Sequence, residues 1–125
     1  MSLPSVLSLQ FNHFSLHVAQ LPESIHFYGQ VLGLQQIDRP AFGFDGAWFA
    51  IGPGLELHLI AGRVQPVSSS KRGAHYAFYI SDLQAAIVHL QAQNIPIQGP
   101  FGRPDGAQQV FINDPDDYVV ELCSF

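Results

Sequence analysis

Apolar and polar positions alternate from Leu9 to Val18, which puts Phe11, His13, Ser15 and His17 on one face of a strand. The spacing then turns helical through Leu21, Ile25, Tyr28 and Leu32. Pro22 is tolerated in a first turn, Glu23 suits the positive end of the helix dipole, and Gly33 is a natural stop. Three more strands are predicted over Leu34–Asp38, Ala47–Ile51 and Leu55–Ile60, the last two joined by the turn Gly52-Pro53-Gly54. Residues 63–73 contain Pro66 and the run Ser68-Ser69-Ser70-Lys71-Arg72, which reads as an exposed linker. The pattern then repeats. A strand over His75–Ile80 leads to a helix from Asp82 to Gln93, capped by Ser81 and ended by Asn94 and Pro96. A strand near Pro96–Gln98, a loop over 99–106 and a strand over Gln108–Ile112 follow. After the tight turn Asp114-Pro115-Asp116-Asp117 comes the final strand, Tyr118–Phe125. Val119, Glu121 and Cys123 share one of its faces, and Tyr118, Val120 and Leu122 the other. The order is βαβββ twice. The expected fold is therefore α+β, one domain over 1–125 with modules at 9–62 and 74–125, forming an open, cleft-containing, mixed barrel-like sheet. Residues 1–7 read as a short leader.

The two halves also echo each other residue by residue. Asn12-His13-Phe14-Ser15-Leu16-His17-Val18 aligns with Ala74-His75-Tyr76-Ala77-Phe78-Tyr79-Ile80 at an offset of 62 residues. Leu55-Glu56-Leu57 aligns with Val120-Glu121-Leu122 at an offset of 65. Each half opens on a strand with a His and closes on a strand with a Glu. Imidazole and carboxylate are the ligand types of Zn, Ni, Mn and Fe(II). If the halves pack by a pseudo-twofold, His13, Glu56, His75 and Glu121 surround one cation and leave coordination positions open. Glu121 lies on an inward face, where an unpartnered carboxylate is costly, so a cation or a strong donor is expected beside it. Glu56 and His58 point the same way, and the spacing leaves open which of them is the inner ligand. His17, His58 and Tyr79 should line the same cavity, and Trp48 its wall. His26 and His89 read as surface residues on helices, and Cys123 as an inert core thiol.

Composition narrows the function. Charged residues make up only 12 % of the 125, against about 25 % in typical soluble domains, so a homodimer that covers apolar surface is expected. The net charge is −5, and the five basic residues form no phosphate-tracking patch, which argues against nucleic acid. No apolar run suits a bilayer span, and no charged-then-apolar leader is evident. The single Cys123 excludes an internal disulfide. A soluble, cytoplasmic protein acting on a small molecule is the expectation.

The motifs Phe11-Asn12-His13-Phe14-Ser15-Leu16, Ser24-Ile25-His26-Phe27-Tyr28 with Leu32-Gly33-Leu34, Gly73-Ala74-His75-Tyr76-Ala77-Phe78 and Asn113-Asp114-Pro115-Asp116-Asp117 with Glu121 together resemble the vicinal oxygen chelate superfamily. That superfamily includes glyoxalase I, fosfomycin-resistance thiol transferases, extradiol dioxygenases and bleomycin-resistance proteins. The resemblance covers residues 9–124. It implies that His13, His75 and Glu121 are metal ligands and that Glu56 takes the fourth ligand position of glyoxalase I. Zn, Ni, Co or Mn would sit there, or Fe(II) in a dioxygenase.

By the same resemblance Glu56 is the candidate general base, with Glu121 able to act from the opposite side, on a carbon made acidic by neighbouring oxygens. Ser15, His17, His58, Tyr79, Trp48 and Arg103 are the candidate substrate pocket. The implied activity is a metal-dependent glyoxalase-like lyase or isomerase on a small α-oxygenated carbonyl substrate. The alternatives are a non-haem Fe(II) extradiol-type dioxygenase, using His13, His75 and Glu121, and a metal-free drug- or metabolite-binding protein. A thiol transferase ranks behind them for want of anion-gripping residues. The chain departs from glyoxalase I at His17, where those enzymes usually carry an Arg that holds glutathione, and at Asp117, where the turn normally ends in Gly.

Overall fold

A computed structural model describes residues 7–125, so most of the expected leader lies outside the described residues. The first module is β1 (His13–Val18), α1 (Leu21–His26), a π-helical continuation (Phe27–Val31), β2 (Gln35–Ile37), β3 (Gly46–Gly52) and β4 (Leu55–Ala61). The second is β5 (Tyr76–Tyr79), α2 (Leu83–Ala92), β6 (Gln98–Gly102), β7 (Gln108–Asn113) and β8 (Val119–Ser124). The doubled βαβββ order is as expected. Each module forms its own four-stranded sheet, in the orders β1-β4-β3-β2 and β5-β8-β7-β6, with one parallel pair at β1–β4 and at β5–β8. The sheets are open and do not close into a barrel.

Several boundaries differ from the sequence expectation for local reasons. The first strand begins at His13 rather than Leu9, because β4 offers Glu56 as the first paired partner, opposite His13. The first helix loosens after His26, where Leu32 donates its backbone N–H to the carbonyl of Phe27, five residues back. Gly33 then turns the chain at φ +73, as its position predicted. The cap of α2 is Asp82 rather than Ser81: its Oδ1 accepts from the Ala85 N–H at 3.0 Å. The 99–106 loop is partly strand, since β6 runs through Gly99-Pro100. The linker is exposed but tied down. Ser69 Oγ donates to the Ala74 carbonyl at 2.7 Å and accepts from the Val119 N–H at 2.9 Å.

Both modules feed one core. Leu16, Val18, Phe49, Leu57 and Leu59 from the first sheet join Leu83, Ile87, Val110, Val120 and Leu122 from the second. Strand alternation therefore turns His13, Ser15 and His17, Glu56 and His58, and Glu121 and Cys123 to the faces away from that core.

A buried polar latch crosses between the modules at the β7–β8 turn. Asp114 Oδ2 accepts from the Tyr28 hydroxyl at 2.6 Å, and the Tyr28 and Tyr76 hydroxyls are in close hydrogen-bond contact. Burial raises Asp114 above the ordinary carboxylate range and pushes both phenols up. Asp116, its side chain 2 % exposed, accepts from the Ala19 N–H, from Ser24 Oγ and from the Arg63 guanidinium.

Candidate metal centre

The expected ligands come together in pairs. In the first sheet, parallel pairing sets His13 opposite Glu56 and Ser15 opposite His58, while antiparallel pairing sets Trp48 on the other side of His58. Period two puts all of these on one face. The rings of His13, His58 and Trp48 form a continuous stack, with centroids 4.0 Å and 3.9 Å apart. His58 is buried within it, and its Nε2 lies 2.9 Å from Glu56 Oε1. His58 is clamped between rings and holds the half-exposed Glu56 by one oxygen. His13 Nδ1 faces Asn12 Oδ1 at 2.6 Å, an arrangement that leaves Nε2 as the nitrogen available to a ligand.

In the second sheet the register is slipped. Ala77, not His75, stands opposite Glu121, and His75 reaches Glu121 diagonally from just before β5. The contact survives because the slip is two residues, which preserves the face. His75 Nε2 is 3.1 Å from Glu121 Oε1. Gln109 Nε2 donates to Glu121 Oε2 at 3.0 Å, and Arg103 Nη1 lies 3.9 Å from the same oxygen. Glu121 is buried, so the carboxylate has the donors that its burial demands.

The donor chemistry suits a divalent cation. Both ring nitrogens of His75 face oxygens, Nδ1 the Gly73 carbonyl at 3.2 Å and Nε2 the Glu121 carboxylate. A neutral imidazole has one N–H, so with Nδ1 donating, Nε2 and Oε1 present lone pairs to each other. A cation bound by both relieves that opposition. Two ligands about 2.1 Å from one metal at a right angle stand about 3 Å apart, which matches the 3.1 Å separation here. Each half supplies one expected His and one expected Glu, but among the described residues no group of three or more His, Cys, Asp or Glu side chains is placed to hold one metal ion. The four expected ligands therefore do not surround one point within the chain. The pseudo-twofold places them on two faces that both turn away from the shared core.

The remaining candidates scatter. Trp48 packs in the ring stack, and Ser15 and His17 lie exposed on the same face of β1, with His17 Nε2 3.1 Å from the Ala61 carbonyl. Tyr79 is 66 % exposed on β5. Arg103 is committed to Asp105 through contacts of 3.0 and 2.5 Å, and the pair holds the Asp105 carboxyl down at about 2. His26 and His89 are exposed as expected, although His89 Nε2 also reaches the Val31 carbonyl at 2.8 Å. Asn12 and Gln109, which orient His13 and Glu121, were not among the sequence candidates. Gln109 shares the period-two face of Phe111, which was the available signal.

Comparisons with known proteins identify the chain's relatives. A family model described as the Glyoxalase/Bleomycin resistance protein/Dioxygenase superfamily matches residues 10–122. The chain is 30 % identical over 122 residues to "Glyoxylase I 4" of Arabidopsis thaliana, an alignment covering 90 % of this chain and 69 % of the plant protein. It is 24 % identical to a lactoylglutathione lyase of Schizosaccharomyces pombe, covering 98 % of this chain and half of the yeast protein's length. The crystal structure of a glyoxalase/dioxygenase from Nostoc punctiforme superposes with a TM-score of 0.78 at 26 % identity, covering 98 % of each chain.

Proposed function

The chain belongs to the Glyoxalase/Bleomycin resistance protein/Dioxygenase superfamily, and from that membership we propose that it is a metal-dependent lyase or isomerase of glyoxalase type. Its substrate is a small α-oxygenated carbonyl compound bound through two neighbouring oxygens. Its metal is Zn, Ni, Co or Mn, held between two copies of the chain: His13 and Glu56 of one meet His75 and Glu121 of the other. A homodimer then carries two equivalent sites. The glyoxalase names of the Arabidopsis and fission-yeast relatives support the reaction class.

The observation that carries this reading is that one outward face holds His75 and Glu121 at ligand-to-ligand spacing while the other pairs His13 with Glu56 in strand register, and among the described residues neither face is sufficient alone. Large apolar side chains exposed on β5 and before β1, Tyr79 at 66 % and Phe11 at 67 %, support cover by a second copy.

A divalent cation at such a site supplies Lewis-acid stabilisation of negative charge on the substrate oxygens. The chain's own residues divide the other tasks. Glu121 is buried, with Gln109 donating to Oε2 and His75 Nε2 packed beside Oε1, so it serves as a fixed anchor. Glu56 is half exposed and, among the described residues, tethered at Oε1 alone, so its Oε2 can take a proton from the substrate carbon and return it to the neighbouring one. The Trp48–His58–His13 stack keeps the ligand imidazole and the base in fixed relation.

The test is metal content and mass in solution, for wild type and Glu56→Gln purified without an affinity tag. About one divalent ion per chain, bound by a dimer and weakened in the variant, is the expected result. Failure to take up metal after reconstitution overturns the proposal. Iron retained equally by the variant would redirect it to a dioxygenase.

A further inference from the structure

The five basic residues are not alike in their surroundings. Arg39 Nη2 donates to the Phe44 carbonyl at 2.9 Å and its guanidinium covers the Phe42 and Phe44 rings. Arg63 is bound by Asp116, and Arg103 by Asp105. Lys71 and Arg72 remain. Among the described residues neither makes an ion pair or a side-chain hydrogen bond, in a protein of net charge −5.

Both uncommitted cations border the same groove, of about 460 Å3, whose other walls are Phe101, Gly102, Gln109 and Phe111. Lys71 Nζ is stationed over it, 5.2 Å from the Phe101 ring centre and 5.9 Å from that of Phe111. The groove runs into the second half of the metal centre. Gln109 lines it and donates to Glu121, while Phe111 stands opposite Glu121 in the strand register and edge-on to His75. The carboxylates nearby are already engaged, Glu121 by Gln109 with His75 beside it, and Asp105 by Arg103. Lys71 over an aromatic floor and Arg72 at the groove's edge, with no anion paired to either among the described residues, leave room for an anion brought by a ligand.

We propose that this groove is an anion subsite: it holds a carboxylate or phosphate group of the substrate, joined to a flat or apolar portion that lies on Phe101 and Phe111. The inference deepens the preceding reading, since the chelating oxygens would lie at Glu121 and the anionic group at Lys71 and Arg72. The substrate class narrows to anionic α-oxygenated carbonyl compounds.

The test uses probes that need no metal. Phenyl phosphate, phenylacetate and neutral benzyl alcohol are titrated into metal-free protein, followed by amide shifts and calorimetry, for wild type and for K71A/R72A. Both side chains are exposed, so the variant is expected to fold normally. At least one anion should bind about tenfold more tightly than benzyl alcohol, with shifts centred on the groove. K71A/R72A should lose that advantage and leave benzyl alcohol unchanged. Tighter binding of phenyl phosphate marks a phosphorylated substrate, and of phenylacetate a carboxylic acid. Equal binding of charged and neutral probes, or an undiminished anion preference in the variant, overturns the proposal. Metal uptake by the same wild-type sample is read separately. Its failure would refute the shared metal centre, while the anion titration still decides the subsite.

Discussion

Replacing Asp116 with Ala should strip the latch between the modules of its most connected member. The carboxylate accepts from the Ala19 N–H at 2.8 Å, Ser24 Oγ at 3.3 Å, Arg63 Nε at 2.9 Å and Arg63 Nη2 at 2.8 Å. Removing one partner of a buried ion pair costs about 3–5 kcal/mol. Each buried donor left unmet adds about 1–3 kcal/mol. Three circumstances hold the sum down. The Arg63 side chain is 19 % exposed and also donates to the Gln65 carbonyl. Residue 19 is exposed, so its N–H can take water. Ser24 is fully buried but has a rotatable hydroxyl. The expected loss is therefore about 3–4 kcal/mol, a large share of the roughly 5–15 kcal/mol that holds a domain together. With an unfolding entropy of about 2.1 cal/mol/K per residue, that corresponds to a fall in Tm of roughly 10–15 °C. Urea melts followed by circular dichroism measure it directly. A cycle with Arg63→Ala should show coupling, since the second substitution removes a guanidinium that the first has stranded. A stability within about 1 kcal/mol of wild type would mean that the contacts across the turn do not hold the modules together.

Three further outcomes follow from the geometry. His58→Ala should weaken metal binding about 10- to 100-fold in chelator competition, because Glu56 loses its His58 tether, and unchanged affinity would show that the tether is idle. For Asp114, burial raises the folded pKa above the ordinary 3.8, so its contribution to stability is full below that pH and shrinks as pH rises through the folded value. Urea midpoints should accordingly show wild type gaining on Asp114→Asn as pH falls toward 3.8, and parallel curves would contradict this. Gly46→Ala should destabilise by about 3 kcal/mol, because the added carbon would lie 2.3 Å from the Leu59 carbonyl oxygen, and a wild-type melt would refute the clash.

The alternation that marks strands was most legible where burial is one-sided. β1 reads cleanly for that reason: Leu16 and Val18 enter the core while Ser15 and His17 stay exposed. The repeat likewise identified His13, Glu56, His75 and Glu121 as equivalents. How these residues are distributed in space was not legible, because packing of module on module depends on contacts remote in sequence, such as Tyr28 with Asp114. Nor was the two-residue slip that takes His75 off the register position opposite Glu121, since a slip of two keeps every side chain on its face. The loosened turn after His26 escaped for a different reason. Leu32 and Phe27 fit helical spacing equally well whether the backbone bonds span four residues or five.

The turn that bears Asp114 and Asp116 also limits how freely the two halves could be exchanged. Its counterpart in the first half, Gly52-Pro53-Gly54, carries no carboxylate. The second half is thus a plug and the first its socket, with Tyr28, Ser24 and the linker's Arg63 as the socket's donors. A chain made of the first half twice would have nothing to insert, and one made of the second half twice would bury four acids without those donors. Whatever symmetry the repeat retains at its metal ligands, its halves have become complementary parts with a fixed order.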